Sequence, residues 1–204
     1  MECYVFPLPN AVFFPSTTKP LNIFEPKYIQ MVKDSLRTQT PIALAFAEGQ
    51  LDSPVVPGSP LQFCKPVAGI GIPHVIEERT DGSMVILLDG RGKVVLEDVQ
   101  DSGTPYIVCN AKPVEESSEV LDTASGELRT LTKILFQWIE KNVGNKEQRE
   151  KFTESIQKPE EVVGFFGSFL VADSDLQQLI LEIDDINEKL KLMNTLIFSG
   201  QVIH

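Results

Sequence analysis

The sequence predicts an α+β protein, in which a β-rich N-terminal part precedes a helical C-terminal part. Up to residue 114, short apolar runs alternate with proline and glycine, which is typical of strands and turns. After residue 120, apolar residues recur at the spacing of three and four that is typical of amphipathic helices. The polar run EESSE at 115–119 separates the two parts. We therefore predict a β domain at 1–116 and a helical domain at 117–204.

The β domain begins with an apolar stretch that proline interrupts four times, at Pro7, Pro9, Pro15 and Pro20. Each proline removes a backbone donor and fixes φ, so the stretch suits short edge strands joined by bends. The run LNIF at 21–24 then gives a brief strand signal.

The periodicity changes at Glu25, and we predict a structural corner that comprises Glu25, Pro26, Lys27 and Tyr28. Pro26 suits the first position of a helix, because the N–H that proline lacks is not needed there. Glu25 precedes it and is placed to accept hydrogen bonds from the free amides of the first turn. Apolar residues at helical spacing continue from there, which predicts one short amphipathic helix at 26–36.

Further strand signals complete the β domain. The apolar run at 40–47 fits a buried strand, and the run at 61–77 is broken by proline and glycine, as in a curved sheet with bulges or corners. The sequence TDGS at 80–83 predicts a hairpin turn, and DGRG at 89–92 predicts a second turn or bulge. The last strand is predicted at 105–114.

The helical domain contains four predicted helices. The first carries an apolar stripe over 128–139, and the second, which is more polar, spans 146–157. Pro159 opens the third helix. The run Ala172-Asp173-Ser174 caps the fourth, whose apolar seam runs to the end of the chain with a bend allowed at 184–185. We predict that these stripes form the core of a bundle.

Charge and hydropathy exclude several classes of function. The 204 residues carry 18 basic and 29 acidic side chains, a net charge of −11, which disfavours nucleic-acid binding. No apolar run reaches the roughly 20 residues of a membrane-spanning helix. The N-terminus lacks the basic region and the long apolar core of a signal peptide. We therefore expect a cytoplasmic protein with no nucleic-acid or membrane partner.

The sequence offers little material for a metal or catalytic centre. Cys3, Cys64 and Cys109 share no close spacing and lie in strand-like apolar contexts, which predicts buried free thiols. The sequence has only two histidines, His74 and His204, that could join the cysteines as metal ligands. There is no phosphate-binding loop and no nucleophile elbow. We therefore predict no catalytic residues, no metal and no cofactor.

Three runs near the N-terminus carry a family resemblance: Phe6-Pro7-Leu8, Phe13-Phe14-Pro15 and, above all, PLNIFEPKY at 20–28. Together they resemble the start of the Lon protease N-terminal domain, the substrate-binding domain of that ATP-dependent protease. The chain is most similar to the stand-alone bacterial version, which lacks the ATPase and peptidase modules. The resemblance implies a PUA-like, partly open barrel with one short helix, followed by an α-helical bundle.

The resemblance also implies a non-enzymatic binding module that recognises unfolded or extended polypeptide segments, or a protein partner. Strand addition at a sheet edge and apolar grooves are two ways to bind such segments. Two alternatives stay open. One is a small-molecule-binding or enzyme-like protein that uses a cleft between the barrel and the bundle. The other is RNA binding by a PUA-like fold, against which the net charge of −11 argues.

Five apolar residues are predicted to border the polypeptide-binding groove: Phe13, Phe14, Leu21, Ile23 and Phe24. Together they carry more apolar and aromatic area than one face of a short strand can bury, so part of this area is left for a ligand. Alternation along the strand predicts that Leu21 and Ile23 face one way and that Phe24 faces the other.

Overall fold

The computed structural model describes residues 1–48 and 54–202. The chain forms two compact units, Met1–Val114 and Glu115–His204. The first unit holds the strands and the second holds five helices in its described part, so the α+β class predicted from the sequence is confirmed. The PUA-like relationship stays a prediction. Within the described residues, no helix has both the length and the hydropathy needed to cross a membrane.

The β unit contains six strands and one helix in its described part. They are β1 (Glu2–Pro9), β2 (Thr18–Ile23), α1 (Pro26–Thr38), β3 (Ile42–Ala47), β4 (Val67–Glu78), β5 (Met84–Val99) and β6 (Ile107–Val114). The strand order is β2-β5-β4-β3-β1-β6, and β6 also pairs with β5, so five strands close a ring. The first part of β5 pairs with β2 and the second part pairs with β6. The unit is therefore a small barrel with a three-stranded extension made of β2, β5 and β4.

The barrel interior is rich in alanine and cysteine, and a second cluster with larger side chains covers its outer face. The interior cluster includes Cys3, Ala43, Ala45, Ala68, Cys109 and Ala111. The residues that alternate with them, such as Tyr4 and Leu44, pack with Met31 and Val32 of α1. This follows from the period of two along a strand, and a narrow ring leaves little room for large side chains inside.

The segment at 10–17, between β1 and β2, lies directly against β4 and β5. A Cβ atom on Gly69 would come within 1.9 Å of the Phe13 carbonyl oxygen, and one on Gly90 within 2.8 Å of that of Phe14. Glycine is therefore required at both positions for this close approach. The segment buries both of its phenylalanine rings, each of which is 1% exposed.

Proline occupies an outward-facing position on both open edges of the extension. The Gly90 N–H donates to the Thr17 carbonyl at 2.9 Å, which sets the alternation of bonded pairs between β2 and β5. By this alternation, the backbone N and C=O of Pro20 point away from β5. The N–H and C=O of Leu88 point toward β2, and therefore away from β4. Pro73, the partner of Leu88 on β4, is then in a non-bonded pair, and its backbone groups point toward the open edge. Neither position has an N–H to offer to a further strand.

The helical unit contains α2 (Ser125–Asn142), α3 (Lys146–Glu154), α4 (Pro159–Leu170), α5 (Ser174–Glu182) and α6 (Ile186–Phe198), after a short 3-10 turn at Asp122–Ala124. Pro159 begins α4, as predicted, and the cap predicted at 172–174 is Asp173, which begins α5. The predicted fourth helix is instead two helices. The Asp185 side chain accepts a 2.7 Å hydrogen bond from the Asn187 N–H and so begins a new helix where we expected a bend.

The segment that follows β6 is attached to α6 by hydrogen bonds. The Asn187 side chain accepts from the Leu121 N–H at 2.9 Å and donates to the Glu119 carbonyl at 3.0 Å. Lys189 pairs with Glu116. These contacts explain why the second unit begins at Glu115, close to the predicted boundary.

Candidate functional site

A groove of about 480 Å³ lies in the β unit beside the corner between β2 and α1. The residues that line it come from β1 (6–8), from the end of β2 and the corner that follows (21–25, with Lys27 and Tyr28), and from the segment that leads into β6 (105–107). Val55 and Phe63 complete the lining. Its lining is mainly apolar and aromatic, and its few charged groups belong to the corner.

The groove has a buried aromatic floor. Phe6 and Tyr106 are nearly inaccessible, and the rings of Phe6 and Tyr28 lie 4.3 Å apart between centroids. Ile23 is 1% exposed, whereas Phe24, just beyond the end of β2, is 71% exposed. A buried floor beside an exposed phenylalanine is the arrangement expected of a site that binds apolar groups.

The ladder between β1 and β6 explains where the groove begins. Met1 and Ala111 exchange two backbone hydrogen bonds of 2.8 Å. In an antiparallel pair the bonded positions recur every second residue, so the register makes Val5 and Ile107 the last bonded pair.

The next bonded pair would be Pro7 with Pro105. Neither residue has an N–H, so two carbonyl acceptors would face each other without a donor. The pairing of β1 with β6 indeed ends at Val5 and Ile107, and both prolines line the groove. Two prolines at matched positions thus end the ladder and leave a groove at its end.

The corner supplies the charged groups of the groove. Lys27 Nζ lies 3.4 Å from Glu25 Oε2 and 4.7 Å from the centroid of the Tyr28 ring. Burial alone would lower the pKa of Lys27, but Tyr28 and Glu25 together raise it. Burial raises the pKa of Tyr28. At neutral pH the corner therefore presents an ion pair over a neutral phenol ring.

Glu25 begins α1 in a way that differs from our prediction. Its carbonyl oxygen accepts from the N–H groups of Tyr28 (2.9 Å) and Ile29 (3.0 Å), but its side chain makes no capping hydrogen bond. The carboxylate is paired with Lys27 instead. Pro26 occupies the first turn of α1, as predicted.

A hydrogen bond between Tyr106 and Asp34 connects the start of β6 to α1. The Tyr106 hydroxyl donates to Asp34 Oδ2 at 2.8 Å, and Arg37 donates to the other carboxylate oxygen at 2.9 Å. The hydrogen bonds from Arg37 and Tyr106 hold the pKa of Asp34 below its usual value. Burial, and then the bond to Asp34, raises the pKa of Tyr106.

Comparison with known families decides the classification. A family model described as the ATP-dependent protease La (LON) substrate-binding domain matches residues 2–198. The chain belongs to this family. No curated protein matches the chain significantly.

Two solved structures share the Lon N-terminal fold with this chain. A Lon N-terminal domain protein from Xanthomonas campestris is 17% identical, with a TM-score of 0.65, over 96% of this chain and 98% of that one. The N-terminal domain of Mycobacterium avium complex Lon protease is 13% identical, with a TM-score of 0.67, over 98% of each chain.

Within this member of the Lon substrate-binding family, the structure brings together three of the five residues predicted to bind polypeptide. Leu21, Ile23 and Phe24 line the groove. Phe13 and Phe14 do not, because their segment lies against the glycines of β4 and β5 and its rings enter the core. We therefore correct the predicted site by leaving Phe13 and Phe14 out of it.

Six further groove residues of this Lon-family chain, from β1 and from the segment that leads into β6, were not predicted from the sequence. They are Phe6, Pro7, Leu8, Pro105, Tyr106 and Ile107. The prolines were visible in the sequence, but their pairing depends on the register between strands that are a hundred residues apart. Conversely, Glu25, Lys27 and Tyr28, predicted as a structural corner, also line the groove.

The helical unit has a second pocket, of about 540 Å³. Charged side chains of α2 and α3 make up most of its lining, and two of them, Lys146 and Glu150, pair with each other at 3.7 Å. Among residues 1–48 and 54–202, no group of three metal-binding side chains could hold an ion. The groove of the β unit is therefore the candidate site.

Proposed function

We propose that this protein is a non-enzymatic binding module that takes up unfolded or extended polypeptide segments in the groove of its β unit. The observation that carries the proposal is the exposed Phe24 ring beside an apolar groove with a buried aromatic floor. Membership of a substrate-binding domain family supports the same function.

The lining favours polypeptide of many sequences over one small polar ligand. Apolar and aromatic surfaces accept side chains of different shapes, and the charges of Glu25 and Lys27 are already paired with each other. We expect weak binding, with Kd in the range of about 1 μM or above, because ordering a flexible segment offsets much of the contact energy. Binding should depend little on salt, since no unpaired charge of the corner drives it.

Titration of the labelled protein with a permanently unfolded polypeptide, such as a reduced and alkylated protein, tests the proposal. Phe24→Ser should weaken binding by about tenfold, since burying an aromatic ring contributes on the order of 1.5–3 kcal/mol. Phe198→Ser is the matched control, because Phe198 is 80% exposed at the end of α6 in the other unit. It should bind as the wild type does.

Equal affinity of the wild type and Phe24→Ser, with both proteins folded, would place polypeptide binding outside this groove. A larger loss in Phe198→Ser than in Phe24→Ser would instead indicate a site on the helical unit. Circular dichroism of each variant shows whether it is folded.

A further inference from the structure

We propose that the bound polypeptide segment adds to the β unit as a further strand, paired with the open edge of β2 at Asn22. This inference rests on the proposed function and specifies how the backbone of the segment is bound. It narrows the ligand class to extended segments that have an N–H at the paired position and apolar side chains at every second residue.

The outer edge of β2 is open and borders the groove. In the described part of the chain, β5 is the one strand that pairs with β2, so β2 ends the sheet. Thr18, Pro20 and Asn22, which alternate along β2, are all exposed. Asn22 also lines the groove, so a segment held in the groove can reach this edge.

Two hydrogen bonds fix which residues of β5 bond to β2. Within β5, the Gly90 N–H donates to the Thr17 carbonyl at 2.9 Å, so Gly90 bonds toward β2. Just before β5, the Arg79 N–H donates to the Ser83 carbonyl at 2.8 Å, so Ser83 bonds toward β4. Because the direction of the backbone groups alternates along a strand, both bonds require Val85 to bond toward β4.

The backbone of Asn22 therefore faces the open edge. Asn22 is the register partner of Val85, and the two form a non-bonded pair, so the N–H and C=O of Asn22 point away from β5. Among residues 1–48 and 54–202, no backbone group outside the strand ladders bonds to either of them. Thr18 is the other β2 residue with an outward N–H, because Pro20 between the two has none. Asn22 thus offers one donor and one acceptor to a short extended segment.

A flexible polypeptide suits this edge better than a folded strand does. Pro20 limits the pairing to a short stretch around Asn22, and a flexible segment can leave the edge beyond it. A second copy of β2 would place its own Pro20 opposite or beside Asn22, so two copies would exchange few backbone hydrogen bonds. The occupant is therefore an extended segment of another chain.

The aromatic floor of the groove sets a preference for side chains. Leu21 and Ile23 pack in or against the core cluster that also contains Phe6 and Tyr106. A strand added about 4.8 Å from β2 presents every second side chain to that same face of the sheet. Apolar residues are favoured at those positions, and polar residues are favoured at the positions between them, which face the solvent.

Three short labelled peptides test the backbone bonds on the wild-type protein. All share one sequence in which valine and serine alternate, and two of them carry N-methyl groups, on every valine or on every serine. The N–H groups of an added strand point alternately toward β2 and away from it, so one methylated peptide loses every N–H that faces β2 and the other loses none. We expect the first to bind about tenfold more weakly than the unmodified peptide, and the second within about twofold of it.

Protein variants test whether Asn22 makes the bonds. Asn22→Pro removes the outward N–H without removing a bond between β2 and β5, and its ring lies where the added strand would approach. It should bind the unmodified peptide about tenfold more weakly than the wild type does. Asn22→Ala keeps the N–H, and Thr18→Pro changes the same edge outside the groove lining, so both controls should bind as the wild type does. If Asn22→Pro does not fold, the methylated peptides still decide the question.

The outcomes distinguish this inference from the proposed function. Equal affinity of the two methylated peptides would overturn strand addition and leave binding through side chains intact. Unchanged affinity of a folded Asn22→Pro protein, or an equal loss in Asn22→Ala, would also overturn it. A dimer of the wild type that Asn22→Pro dissociates would assign the edge to a second copy instead. If no polypeptide binds to the wild type, the proposed function itself fails, and this inference fails with it.

Discussion

Tyr106 contributes to the β unit through a bond whose strength should depend on pH. Its hydroxyl donates to Asp34 at 2.8 Å, and Tyr106 itself is 5% exposed. We expect Tyr106→Phe to lower the free energy of unfolding at neutral pH by about 1–2 kcal/mol. Because the pKa of Asp34 is lowered in the folded protein, the contribution of its carboxylate is present above the unfolded pKa of about 4 and is lost as the pH falls further.

Urea unfolding at neutral pH and at about pH 3 measures this dependence. The cost of Tyr106→Phe should shrink at the lower pH. In an Asp34→Asn background, where no carboxylate titrates, the cost should be the same at both pH values. A cost in the wild-type background that does not change with pH would contradict the prediction.

The N-caps of two helices show which contacts of a single residue can be predicted from the sequence. Asp173, within the cap predicted at 172–174, accepts hydrogen bonds from the N–H groups of Asp175 (2.9 Å) and Leu176 (3.0 Å). Glu25 occupies the equivalent position of α1 without such a bond. The residues preferred at the N-cap position have short side chains, whereas glutamate is longer, and its carboxylate pairs with Lys27 instead. The local pattern predicts where a helix begins, but not which partner a flexible side chain takes.

At the scale of elements, the segment at 10–17 depends on Gly69. A Cβ atom there would lie 1.9 Å from the Phe13 carbonyl oxygen and 3.2 Å from Phe13 Cβ, so the backbone must move. We expect Gly69→Ala to lower the free energy of unfolding by about 3 kcal/mol or more. Gly126→Ala is the control, because nothing lies within 4 Å of its added Cβ atom, and alanine is the better helix former by about 1 kcal/mol.

Denaturant unfolding compares the two variants with the wild type. A Gly69→Ala protein within about 0.5 kcal/mol of the wild type would show that the segment at 10–17 is not held against β4 as described.

The elements themselves were largely predictable, and their contacts were not. The strand at Ile42–Ala47, the helix that begins at Pro26 and the helix that begins at Pro159 follow from local apolar patterns and proline positions. The turn or bulge expected at 89–92 is a bulge within the continuous strand β5: Ile70 pairs with Gly92 and Gly71 with Gly90, which leaves Arg91 as the extra residue. Gly69 and Gly71 suggested bulges, and the sequence could not indicate that another segment lies against them, since that contact is made between distant parts of the chain.

At the scale of the whole molecule, the two units carry separate chemical reporters. Cys3, Cys64 and Cys109 are buried free thiols in the β unit, and the sole tryptophan, Trp138, belongs to the helical unit. Burial raises the pKa of each thiol to about 12. At about pH 8, the thiolate fraction is then about a thousandfold lower than that of a free cysteine. We expect the native protein to resist a disulfide reagent such as DTNB and all three thiols to react in concentrated guanidinium chloride.

Tryptophan fluorescence, recorded in parallel, shows whether the helical unit stays folded during the reaction. A thiol that reacts quickly in the native protein at this pH would contradict the burial of the cysteines.

The division of the chain into a β part and a helical part could be read from composition, because the change at 115–119 is abrupt. The closure of the strands into a ring and the position of the groove could not. Both depend on register: β6 pairs with β5 at one edge and with β1 at the other, and the groove begins beyond Val5 and Ile107, where the pairing of β1 with β6 ends. No local pattern in a single sequence shows which of two distant strands pair, or in which register.

The prolines on the strand edges have a further consequence for a protein that binds unfolded chains. Such chains polymerise into amyloid when an exposed strand edge gives them a template of alternating donors and acceptors. Pro20 and Pro73 interrupt that template on the two edges of the extension, and Pro7 interrupts it at the groove. Under the proposed function, the protein can therefore hold an aggregation-prone segment without seeding its fibril.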